Sequence, residues 1–130
     1  MNVKEKNTSY TTRGLKRIRN AFRYSIDGLT ATFKNEAAFR QELMLAAALV
    51  PLAIFLPVSL LSKTMMLSSI MIVLIVELTN SAIETVVDKA SPEKHPLAKR
   101  AKDTGSAAVF LSLLNLAIVW GLCLFNHFFS

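Results

Sequence analysis

Glu77, Asn80, Glu84 and Asp88 stand at i, i+3, i+7 and i+11 at the end of a strongly apolar run. At about 100° per residue they share one helical face, within an arc of roughly 80°. Carboxylates stacked in this way can accept a proton from a hydroxyl, coordinate a divalent cation, or do each from a different height on the helix. Glu77 and Glu84 are separated by about 10.5 Å along the axis, so both reach one extended ligand only at different points along it. A second cluster, Lys102, Asp103 and Ser106, opens the last apolar run, with Gly105, Ala107 and Ala108 as small neighbours. Lys102 and Ser106 lie one turn apart on the same side of a helix. Taken alone, that cluster reads equally well as a lysine reaching the interface, a capping aspartate and a small-residue helix contact.

The elements that position these groups are expected to be membrane spans within a single domain. The chain has 130 residues, 52% of them hydrophobic and only 18% charged, with a mean hydropathy of +0.41. So small a chain with this much apolar surface must turn it towards lipid. Residues 43–61 carry no charge and reach about 28 Å as a helix, enough to cross the hydrocarbon. Pro51 and Pro57 are expected to kink that span or mark its outer end. Residues 104–129 are also uncharged, with Trp120, Phe125, Phe128 and Phe129 forming an aromatic outer end. Between the two, the uninterrupted apolar part, residues 65–76, reaches only about 18 Å. To cross, it must continue through Glu77 and Glu84 to Val87. Glu77 then lies in the inner leaflet and Glu84 near the cytoplasmic interface.

An acid inside the membrane costs about 2.5–3.5 kcal/mol on insertion scales, which makes it a functional-site candidate by default. The structural alternative is a packing network of Asn80 and Ser81 around a protonated Glu77. Packing achieves this with Asn or Ser and no acid, so the functional reading is preferred.

Orientation follows from the basic residues. Arg13, Lys16, Arg17, Arg19, Arg23, Lys34 and Arg40 precede the first span, and Lys89, Lys94, Lys99, Arg100 and Lys102 lie around the second connection. Only Lys63 falls in the first connection, read as a tight turn at residues 62–64. The N-terminus and the loop around Ser91, Pro92 and Pro96 are therefore expected in the cytoplasm, with the C-terminus outside. No signal peptide is expected, because the basic N-terminal region leads into amphipathic sequence. Cys123, the single cysteine, excludes an intrachain disulfide and is read as lipid-facing filler. The first dozen residues are expected to be loose.

Ahead of the first span, Leu15, Ile18, Phe22, Ile26, Leu29 and Phe33 recur at spacings of three and four. Lys16, Arg19, Arg23, Asp27, Thr30 and Lys34 gather on the adjacent face. The pattern predicts an amphipathic surface helix over about 13–35, resting on anionic headgroups. A second stripe, Arg17, Ala21, Tyr24, Gly28 and Ala31, is small, with a cation and a phenol at one end, suited to close packing or to a phosphate.

Combined, these parts specify a reaction class. Phosphoryl transfer from a magnesium nucleotide needs carboxylates for the metal, cations for the phosphates and a base beside the acceptor hydroxyl. All three are expected at the cytoplasmic interface. No GxxxxGK[ST] loop exists, since Gly14, Gly28, Gly105 and Gly121 cannot supply one. No protein-kinase signature set is present either, and no nucleic-acid partner is expected.

Three segments make the pattern recognisable: Asn35-Glu36-Ala37-Ala38-Phe39-Arg40-Gln41-Glu42, Glu77-Leu78-Thr79-Asn80-Ser81-Ala82-Ile83-Glu84 and Ala101-Lys102-Asp103-Thr104-Gly105-Ser106-Ala107-Ala108. They resemble the three signatures of the bacterial integral-membrane diacylglycerol kinase family, and the resemblance covers nearly everything from Arg17 to the end. It implies an all-α membrane protein, a surface helix plus three transmembrane helices, assembled as a homotrimeric bundle in the bacterial inner membrane with active sites shared between subunits. The implied activity is transfer of the γ-phosphate of MgATP to the primary hydroxyl of diacylglycerol, giving phosphatidic acid. On this resemblance Glu77 is the catalytic base, with Asn80 hydrogen-bonding near the reacting centre. Glu36 and Glu84 match the Mg²⁺ ligands. Arg17, Tyr24, Glu93, His95, Lys102 and Asp103 join them around the nucleotide. Arg17, Ala21, Ser25, Arg40, Glu42 and Ser106 join Glu77 around the lipid substrate. Two departures stand out: Ile26 where members often place tryptophan, and Asp27 in an otherwise basic face. The nearest alternative is undecaprenol kinase, a related branch, against which segment 35–42 favours diacylglycerol. An alternative of another class is a non-enzymatic small membrane subunit, or a proton-coupled transporter with Glu77 as its carrier.

Overall fold

A computed structural model describes residues 13–130 as four helices: α1 (Arg13–Asn35), α2 (Ala37–Phe55), α3 (Leu60–Ala90) and α4 (Pro96–Phe129). No strand occurs among the described residues. The loose first dozen residues expected from the sequence lie outside them. The described chain divides into two units, α1 and the α2–α4 bundle.

Within α1, Leu15, Ile18, Phe22, Ile26, Leu29 and Phe33 are all exposed. They form an apolar stripe beside a basic and polar face, as an interfacial helix requires. Ser25, Thr30 and Thr32 donate their hydroxyls back to the carbonyls of Ala21, Ile26 and Gly28, each at 2.8 Å. Such bonds satisfy short polar side chains without an outside partner.

In the bundle, α3 packs against both α2 and α4, which share no contact with each other. All three helices are long and apolar enough to cross a membrane. Their core is small: Ala46, Ala53, Val58, Met66, Ile70, Trp120 and Cys123. Buried Ser69, Ser81, Ser112 and Gly105 complete the seams. Small and hydroxylated residues let helix backbones approach where lipid supplies no hydrophobic drive between helices. The long leucines, isoleucines and phenylalanines mostly point outwards, which suits a lipid solvent rather than water.

Three expectations are corrected. The first connection lies at residues 56–59, not 62–64. Pro57 cannot continue α2 and disfavours a helical Leu56, whose ψ is 140°. The Ser59 side chain then caps α3, accepting from the Ser62 amide at 3.1 Å. Lys63 consequently sits in the first turn of α3, where its ammonium donates to the Ile54 carbonyl at 2.5 Å. Trp120 does not join the aromatic outer end. It is buried, and its indole N–H donates to the Met66 carbonyl at 3.3 Å, because a buried indole needs an acceptor. Cys123, one turn further along the same face, is buried rather than lipid-facing. Pro51, by contrast, lies inside α2 without ending it.

At the polar end both long helices outrun their apolar stretches. α3 continues to Ala90, and α4 starts at Pro96, where proline at the first turn loses no helical bond. His95 caps α4, its Nδ1 accepting from the Leu97 amide at 3.1 Å.

Candidate active site

The four aligned residues of α3 run from buried to exposed along one face. Glu77 is 4% exposed and Asn80 7%; Glu84 is half-buried and Asp88 exposed. A deep acid and a shallow one on a single helix is the arrangement that the spacing predicts. Asn80 lies between them on the helix and bonds the shallow one, its Nδ2 donating to Glu84 Oε1 at 3.4 Å. Its other amide atom, Oδ1, is buried without a hydrogen-bond partner, as is the hydroxyl oxygen of Ser81.

Gly105 of α4 explains how Asn80 is enclosed. A Cβ at that position would collide with Asn80 Oδ1 and lie 3.2 Å from its Cγ. Glycine alone lets α4 close over the amide and holds it against Glu84. From the sequence the small residues promise close packing, but not the partner on which they close.

From the other side, α2 brings Glu42 to the carboxyl of Glu77. Glu42 Oε2 is buried and unpartnered. Glu36 occupies the N-cap of α2 but makes no side-chain capping bond. Both Glu36 and Glu84 are close enough to act electrostatically on Glu77. The bundle therefore gathers Glu36, Glu42 and Glu84 around Glu77. Segment 35–42 was expected to serve this site; the direct meeting of Glu42 and Glu77 escapes sequence reasoning, because it depends on how α2 docks on α3.

Beyond Asp88 a cleft of about 660 Å³ opens between the end of α3 and the start of α4. Glu93, His95, Lys102 and Asp103 line it, bringing together four of the residues expected around the nucleotide. Lys94 and Lys99 add cations. Lys102 forms an ion pair with Asp88 across α3 and α4. Lys99 pairs with Asp103 one turn away, at 2.5 Å. Both pairs are largely exposed, so they contribute little stability. They do hold cationic groups in place at the mouth of the acidic face. His95 lends one ring nitrogen to the cap of α4 and keeps the other for the cleft.

Other expected residues are placed less closely. Ser106 is exposed on α4, and Arg40 is half-buried on α2. Arg17, Ala21, Tyr24 and Ser25 belong to α1 and are exposed there. The Arg23 guanidinium lies 5.9 Å from the Tyr24 ring centroid, and the Ser25 hydroxyl is bonded to Ala21.

Among the described residues no three His, Cys, Asp or Glu side chains converge as a metal-binding group. Magnesium carried by a nucleotide takes one or two protein carboxylates, with phosphates and water completing the octahedron. Glu84, half-buried on α3, and Glu36, whose side chain makes no capping bond at the start of α2, are carboxylates of the kind that such a site uses.

The family model described as prokaryotic diacylglycerol kinase matches residues 23–124, which include every carboxylate and cleft residue named above. The chain is 49% identical over 116 residues to a diacylglycerol kinase of Haemophilus influenzae, covering 89% of this chain and 98% of that protein. To one of Pseudomonas aeruginosa it is 50% identical over 107 residues, covering 82% and 87%. To one of Escherichia coli K12 it is 46% identical over 117 residues, covering 90% and 96%.

Proposed function

The chain belongs to the prokaryotic diacylglycerol kinase family, and from that premise we propose that it transfers the γ-phosphoryl group of MgATP to the primary hydroxyl of a 1,2-diacylglycerol, giving phosphatidic acid. The observation that carries this reading is the graded acidic face of α3, with Glu77 buried, Asn80 bonded to Glu84, and Asp88 one turn further on in the wall of a cleft lined by lysines and carboxylates.

Diacylglycerol keeps its acyl chains in the bilayer, since withdrawing them costs about 0.8 kcal/mol per CH₂, so the nucleotide must come to the membrane. The lipid hydroxyl approaches Glu77 from the hydrocarbon side. Glu77 accepts its proton as the hydroxyl oxygen attacks the γ-phosphorus, and the bond to the ADP oxygen breaks. Asn80, fixed between Gly105 and Glu84, positions the reacting groups. Glu84 and Glu36 would hold Mg²⁺, which would offset the charge of the phosphates. Lys102 faces the phosphate chain from the cleft, with Glu93, His95 and Asp103 around the rest of the nucleotide. Glu42, Arg40 and Ser106 bear on the lipid headgroup. The roles of Arg17, Ala21, Tyr24 and Ser25 rest on the family motif.

The same reading sets the chain in the bacterial inner membrane, with the α3–α4 connection and the N-terminus in the cytoplasm, where ATP is. It also makes the active unit a homotrimer with shared sites. The decisive test is purified protein in lipid vesicles with labelled ATP and Mg²⁺, offered dioleoylglycerol or undecaprenol. Labelled phosphatidic acid is the expected product. No labelled lipid from either acceptor would sink the kinase reading, and a strong preference for undecaprenol would move the chain to that branch.

A further inference from the structure

Two polar groups in the apolar part of the bundle have no use in the phosphoryl-transfer site. Pro51 lies inside α2, and because proline has no N–H, the Ala47 carbonyl loses the donor that a helix would give it. Asn115 is half-buried on α4, and its carboxamide makes no hydrogen bond among the described residues. It lies about 16 Å into the span that starts at Thr104, near the bilayer centre. Neither water nor a lipid ester reaches that depth, so a carboxamide there needs a protein partner.

The two groups stand at the same height. Gly105 against Asn80, and Trp120 against the Met66 carbonyl, set α4 antiparallel to α3. Interpolating between those contacts puts Asn115 level with about residues 70–71 of α3. Glu42 beside Glu77 sets α2 on α3, which puts the same level at about residues 48–49 of α2. The Ala47 carbonyl points towards Pro51 from that turn.

One chain cannot join them, because α3 separates α2 from α4. Ala47, Ala48 and Pro51 are exposed. Asn115 lies about 75° around α4 from the buried stripe of Gly105, Ser112 and Cys123. A donor on one outer helix and an acceptor on the other, at one depth, suit a second copy inserted in the same orientation. We propose that the Asn115 carboxamide of one copy donates to the Ala47 carbonyl of the next, docking α4 of one subunit on α2 of its neighbour. Ala47 and Ala48 leave room for that approach. Such a head-to-tail contact is heterologous and is completed only when the copies close into a ring. A three-membered ring is one such closure. The inference rests on the membrane-spanning reading and not on the kinase assignment.

The test uses full-length chains with Cys123→Ser, reconstituted in vesicles and oxidised. Chains carrying Asn115→Cys, mixed with chains carrying Ala48→Cys, are expected to give a disulfide-linked dimer that neither gives alone. Separately, Asn115→Val and Pro51→Ala are each expected to raise subunit dissociation on dilution into detergent by about threefold. Combined they should do no more than either, since both remove the same bond. A dimer from Asn115→Cys alone, no dimer from the mixture, or additive effects would each overturn the proposal. Kinase activity read in the same vesicles separates the two claims: cross-linking without lipid phosphorylation rejects only the kinase, and the reverse rejects only the interface.

Discussion

Gly105 and Asn80 occupy the same small volume between α4 and α3, and the glycine is what makes room for the amide. Gly105→Ala should push Asn80 off Glu84 and cost about 1–3 kcal/mol of stability through overpacking. A displacement near 1 Å at a positioning group can cost about 10²-fold in rate, so kcat should fall further than stability does. A double-mutant cycle checks the cause: in an Asn80→Ser background the added methyl should cost markedly less. Additive losses would mean that Gly105 acts elsewhere.

Glu77 and Glu84 should fail in different ways. Glu77→Gln removes the proposed base and should lower kcat by about 10²–10⁴-fold at every Mg²⁺ concentration. Glu84→Gln removes a metal carboxylate, so its defect should shrink as Mg²⁺ is raised, with the half-saturating concentration shifted about tenfold, the equivalent of ~1.4 kcal/mol. Mg²⁺ titrations of both variants separate the roles. A Glu77→Gln defect relieved by Mg²⁺ would reverse the assignment.

These roles follow a pattern that was legible before any coordinates. The spacing of Glu77, Asn80, Glu84 and Asp88 and the shortness of the apolar run together imply one face that grades from buried to exposed, and α3 has it. A span that is apolar all round gives no azimuth, so nothing marked Trp120 and Cys123 as inward-facing. Leu60 and Leu61 prolong the apolar run past the real break at Pro57, and the capping role of Ser59 is concealed inside it. The meeting of Glu42 with Glu77 needs the docking of α2 on α3, which no local pattern encodes.

Lys63 should matter for stability and not for turnover. Its bond to the Ile54 carbonyl closes the end of α2 just before Pro57 interrupts the chain. Lys63→Met should cost about 1 kcal/mol, the net worth of a partly exposed hydrogen bond of this kind, and Lys63→Arg should retain most of it. The check is the unfolding midpoint in mixed micelles titrated with a denaturing detergent, with kcat measured alongside. A kcat loss larger than the loss of folded protein would contradict a purely structural lysine.

Asp88 tests whether the ion pairs at the mouth of the cleft hold or merely neutralise. It pairs with Lys102 across α3 and α4, and both side chains are substantially exposed. Breaking the pair with Asp88→Asn should therefore change stability by no more than about 0.5 kcal/mol. The freed lysine has two opposite effects on a nucleotide: it is more available to the phosphates, but it is no longer held at the cleft wall. If holding dominates, KM for ATP rises in Asp88→Asn while kcat stays, and added salt shrinks the difference because an exposed pair is screened. If neutralisation dominates, KM falls instead. The geometry favours holding, since the pair joins the acidic face of α3 to the cleft-lining turn of α4 and would be lost from both if either moved. Steady-state kinetics at low and high ionic strength decide it. Lys102→Ala serves as the limiting case, in which KM must rise at both.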